Sequence, residues 1–70
     1  MRPPAAKKLA AAAGLELFYD LQWRSWGLID PECRCESLWL SPGQLGALHP
    51  DEFNQHYVAV MQDRVKEAAQ

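Results

Sequence analysis

The stretch LAAAAGLELFYDLQWRSWG, residues 9–27, decides the fold. Ala10 to Ala13 are the strongest helix formers available. Leu9, Ala13, Leu17 and Leu21 recur every four residues, and Leu15, Phe18, Gln22 and Trp26 make a second line beside them. Together they describe an apolar face wider than a surface helix needs. Asp20 and Arg24 form an i,i+4 pair on the polar side. Gly14 reads as a mild interior cost and Gly27 as a C-terminal stop. The periodicity predicts one helix over residues 5–26, after a loose start at residues 1–4 that contains Pro3 and Pro4.

Three X-Pro steps punctuate the rest of the chain: Asp30-Pro31, Ser41-Pro42 and His49-Pro50. Proline suits the first helical position, preceded by a capping side chain. These steps predict a short helical turn over 31–39, with an irregular loop as the alternative. They predict another turn over 42–47 and a long helix over 50–68. The last helix shows a stripe of Phe53, Tyr57, Val60, Met61, Val65 and Ala68 at spacings of three and four. Leu38-Trp39-Leu40 reads as too short for a strand and is closed by Ser41-Pro42. The expected fold is therefore all-α, with two long helices, 5–26 and 50–68, packed as an antiparallel hairpin. Residues 1–70 then make one small domain, whose connection packs across the pair through Leu28, Ile29, Leu38, Trp39, Leu40, Leu45 and Leu48.

Composition narrows the function. At 49% hydrophobic and 23% charged, the 70 residues do not have a disordered composition. No apolar run approaches the roughly 18–20 residues of a membrane span. The net charge of −2 hides a gradient. Arg2, Lys7 and Lys8 stand alone over residues 1–15, whereas residues 16–52 hold seven acids against Arg24 and Arg34. A nucleic-acid reader needs a basic face or recognition helix, and the Gln44–Gln62 region is neutral to acidic, so nucleic acid is not the expected partner. Lys7-Lys8 before Leu9 and the alanines mimics a signal peptide loosely. Glu16 and Asp20 follow at once, so a helix is the better reading. Two cysteines without framework spacing favour a reducing compartment, the cytoplasm.

Two constellations compete for chemistry. Cys33, Cys35, His49 and His56 offer two thiolates and two imidazoles, a legitimate zinc set. Their gaps of one and six residues fit structural zinc spacing poorly. If Asp30-Pro31 starts a helix, positions 33 and 35 point about 200° apart and share no metal. A Cys33–Cys35 disulfide would close a tight ring suited to labile redox use. Ser25, Ser37 and Ser41 lack a nucleophile-elbow context, and so short a chain has little room for a pocket, so no enzyme is expected.

The aromatics say more. On a helix, Tyr19, Trp23 and Trp26 make a continuous ridge, with Arg24 beside it and Trp39 in the connection. Interface hot spots favour Trp, Tyr and Arg. These five residues are the candidate protein-binding surface, with burial in the core as the competing reading. LSPGQL, residues 40–45, followed by LHPDEF, residues 48–53, is similar in style to small helical phage or prophage proteins. Some tail-assembly chaperones use helix starts of this kind. The likeness covers about a fifth of the chain, consists mainly of capping grammar, and carries over no functional residue.

The function expected is that of a small non-enzymatic interaction module: a regulator, inhibitor or assembly chaperone of phage type. It would bind a larger protein or form a homodimer through the aromatic helix face, with no membrane partner and no cofactor. A zinc-stabilised module is the alternative. A phage tail-assembly or structural accessory protein, or a subunit without a stable fold of its own, is the third reading.

Overall fold

A computed structural model describes residues 1–69. The elements run α1 (Pro3–Ala12), β1 (Glu16–Asp20), β2 (Ser25–Ile29), β3 (Leu38–Leu40), α2 (Pro42–Ala47), α3 (Pro50–Phe53), a π-helical turn (Asn54–Val58) and α4 (Ala59–Ala69). The fold is α+β, built on a three-stranded antiparallel sheet in the order β1-β2-β3. The all-α hairpin expected from the sequence is therefore wrong, and residues 9–27 are where it fails.

Gly14 ends the first helix instead of interrupting it. Its φ is +75°, a left-handed conformation that glycine adopts without a Cβ penalty. The Gly14 amide donates to the Ala11 carbonyl at 3.0 Å, and the Leu15 amide donates to the Ala10 carbonyl at 2.8 Å. This pair of bonds is a Schellman motif, which satisfies the last helical carbonyls, and Leu15 just beyond it is buried. Past Gly14 the side chains alternate with period two. Leu17 faces the core, while Glu16, Phe18 and Asp20 face the other way. The four-residue spacing of Leu9, Ala13, Leu17 and Leu21 is a coincidence of two different periods. Leu21, one member of that series, is 83% exposed.

Cross-strand register fixes the two faces. Leu17 pairs with Leu28, which pairs with Leu38; Tyr19 pairs with Trp26, which pairs with Leu40. These residues share the face toward the helices. Phe18, Gly27 and Trp39 line up on the opposite face. Leu38–Leu40, which reads as too short for a strand, is β3. The short helix expected over 31–39 is absent. Asp30 Oδ1 does accept from the amides of Glu32 and Cys33, the bonds of an N-cap, but no helix continues from that turn.

The proline-marked starts at Ser41 and His49 do begin helices. Ser41 Oγ accepts from the Gln44 amide at 3.1 Å, and Gln44 Oε1 accepts from the Ser41 amide at 2.7 Å, a reciprocal capping box. His49 Nδ1 accepts from the Asp51 amide at 3.3 Å, and Glu52 Oε1 accepts from the His49 amide at 3.0 Å. The C-terminal helix then runs unbroken from Pro50 to Ala69. Its π turn rotates the buried face: Val58 is buried with Phe53 and Met61, and Val60 is exposed. In a straight α-helix Val58 would lie about 140° from Phe53. The wider π turn brings it round to the core.

The core joins Ala6 and Ala10 of α1, Leu17, Leu28 and Leu40 of the sheet, Leu45 of α2, and Phe53, Val58 and Met61 of the C-terminal helix. Ala6 and Ala10 are one turn apart and fully buried, so α1 packs closely with little side-chain volume between backbones. The N-terminal amine donates to the carbonyls of Gly46 at 2.8 Å and Leu48 at 2.9 Å, at the end of α2. The molecule is 16 Å thick along its shortest axis, room for one helix layer on one sheet.

Candidate functional site

Among the described residues no helix covers the outer face of the sheet, and its centre is Gly27. A Cβ built at Gly27 would lie 2.5 Å from Phe18 Cζ and 3.0 Å from Trp39 Cζ3. The two rings therefore close over the bare backbone of β2 from both neighbouring strands. They meet edge to face, with centroids 5.5 Å apart and planes at 81°. Phe18 is half-buried by this arrangement, while Trp39 remains 46% exposed.

The β1–β2 turn extends this surface. Asp20 Oδ1 accepts from the Trp23 amide at 2.9 Å, and the Ser25 hydroxyl donates to the Trp23 carbonyl at 3.1 Å. Arg24 closes the turn with φ of +51°, a left-handed conformation that L-residues adopt at a cost of roughly 1 kcal/mol. This tight turn displays Trp23 at 70% exposure and Leu21 at 83%. Trp23, Ser25 and Trp39 line an apolar groove of about 370 Å³ between the turn and β3.

The five residues predicted for protein binding are thus divided. Tyr19 and Trp26 are cross-strand neighbours on the helix-facing side, with ring centroids 5.1 Å apart. Lys7 Nζ of α1 sits 5.5 Å over the Trp26 ring. Trp23 and Arg24 are at the turn, and Trp39 is on the outer face. No single ridge joins Tyr19, Trp23 and Trp26, because they do not lie on a helix. Phe18 and Gly27 belong to the outer face, and helical periodicity gives no hint of them. The signal for them is Gly27 between two aromatic-bearing strands, where a bare backbone invites a ring to cover it.

The zinc set is dispersed. Cys33 and Cys35 are free and half-exposed in the loop between β2 and β3. His49 caps α3, 3.7 Å from the Asp51 carboxylate, and His56 is exposed on the π turn. Among the described residues, no group of three or more His, Cys, Asp or Glu is placed to hold a metal ion. None of the described helices is long and apolar enough to cross a membrane. The chain matches no family model, no curated protein and no solved structure.

Proposed function

We propose that this protein is a non-enzymatic binding module that engages an extended segment of another protein on its outer sheet face and β-turn. The observation that carries this reading is the display of Trp23 and Leu21 on a hydrogen-bonded turn, next to Trp39 on a face without a helix layer. Large apolar side chains exposed together on a fixed scaffold are the residues from which hot spots are built.

Size and charge select the occupant. With five residues in β1 and β2 and three in β3, the sheet face spans at most about 17 Å by 14 Å. That projected footprint, roughly 240 Å², is well below the roughly 800 Å² each side buries in a standard interface. It suits a peptide-sized segment better than the flat face of a second copy. Glu16 and Asp20 bracket Phe18 on the outer side of β1, and residues 16–52 carry seven acids against two arginines. The complementary segment is apolar, with Lys or Arg flanking it.

Selection from a random peptide library on the full-length chain tests this. Enriched peptides should combine apolar residues with Lys or Arg, and Trp23→Ala and Trp39→Ala should each lose them with unchanged circular dichroism. His56→Ala, distant from the face, should keep them. Acidic enriched peptides, or undiminished binding by both Trp variants, would sink the reading. Sedimentation that finds a dimer broken by Trp39→Ala would replace the heterologous segment with a second copy.

A further inference from the structure

The two cysteines lie outside that surface and are brought together by the loop that replaces the expected 31–39 helix. At Asp30 the chain turns on its own side chain: Oδ1 accepts from the Glu32 amide at 2.8 Å and the Cys33 amide at 3.1 Å. The next turn is closed by sulfur, as the Cys35 amide donates to Cys33 Sγ at 3.3 Å. In a helix the two cysteine side chains would diverge by about 200°; in this loop both line one groove. Arg64 Nη1 donates to the Glu36 carbonyl at 3.0 Å, tying the far end of the loop to α4. The two cysteines share a groove of about 500 Å³ with Asp30 and Glu32 on one side and Val65 and Ala68 on the other.

Soft thiolate ligands select Cu(I), zinc or iron–sulfur clusters. Structural zinc takes four protein ligands, and no third donor joins the cysteines in a metal-holding group among the described residues. A site with two sulfur donors fits a closed-shell monovalent ion that accepts two-coordinate geometry. We propose that Cys33 and Cys35 together bind one Cu(I) as a bis-thiolate. Both thiols release their protons to solvent, two copper–sulfur bonds form, and neither metal nor sulfur changes oxidation state. The resulting complex carries one negative charge, and Arg34, between the two ligands in sequence, is its nearest counter-charge along the chain.

The test uses the full chain, reduced and free of oxygen, titrated with Cu(I) supplied as its coloured bicinchoninate complex. The protein should withdraw one copper per chain. Cys33→Ser and Cys35→Ser should each lose that withdrawal, while His49→Ala keeps it. Both cysteines lie in a loop, so circular dichroism of the serine variants should match the parent. Should Cys35→Ser unfold, alkylation of the folded parent with iodoacetamide before titration supplies the same loss. Copper retained by both serine variants would overturn the site, as would a ratio of one copper to two chains. Equal competition by Zn(II) would overturn the two-donor assignment.

Discussion

The two faces of the sheet obey different rules. On the helix side, Leu17, Leu28 and Leu40 are almost completely buried against α1, α2 and the C-terminal helix. On the outer side, Phe18 and Trp39 cover only a glycine, and each other, before meeting solvent. The inner face is stabilised by removal of apolar area from water, at about 25 cal/mol per Å². The outer face leaves much of its aromatic area wet. The difference teaches how little of its aromatic surface a chain of 70 residues commits to its core. A domain this small has little core to spare, and exposed Trp23 and Trp39 contribute less to it than their size allows.

That contrast can be broken by substitution. Leu28→Ala opens a cavity at the centre of the inner face, where Leu28 is fully buried. It should cost about 2–5 kcal/mol in urea unfolding, enough to leave so small a domain largely unfolded. Gly27→Ala attacks the outer face through its backbone, driving a methyl into the Phe18 and Trp39 rings. The expected loss is about 1–3 kcal/mol, and Phe18→Ala in the same chain should recover part of it. A double-mutant cycle showing no coupling would mean that the rings do not close over Gly27.

Gly14→Ala probes the junction that creates both faces. Forcing a Cβ into the left-handed position should cost about 1 kcal/mol, read as a lower midpoint of thermal unfolding. Trp23→Ala should change stability by less than about 0.5 kcal/mol, because its side chain is mostly in solvent. A large loss there would make Trp23 a core residue and erase the distinction between the faces.

The sequence discloses the second half of this molecule more readily than the first. The starts at Ser41-Pro42 and His49-Pro50 are local events: a capping side chain, a proline and a Gln44 or Glu52 three residues on satisfy the same turn. Such grammar needs no tertiary partner to be legible. The sheet is hidden because Leu17 and Leu21 continue the four-residue spacing of Leu9 and Ala13, which masks the alternation of Leu15, Leu17 and Tyr19, with Ala10–Ala13 weighting the choice toward helix. Gly14 is the arbiter, and its meaning depends on whether a buried Leu15 follows it. Leu38–Leu40 becomes a strand only because β2 lies beside it. Val58 is hidden for another reason, since no α-helical period places it with Phe53. Of the candidate surface, Trp23, Arg24 and Trp39 are legible as exposed aromatic and basic residues. Phe18 and Gly27 require cross-strand register.

The most direct test of the account is the proton NMR spectrum of Gly27 and its neighbours. A sheet with Phe18 and Trp39 closed over Gly27 predicts strongly upfield Gly27 Hα resonances, with cross-strand contacts joining Leu17 to Leu28 and Tyr19 to Trp26. Gly27 resonances at unstructured positions, with i,i+3 contacts running unbroken from Leu15 to Trp26, would contradict it and restore the single long helix.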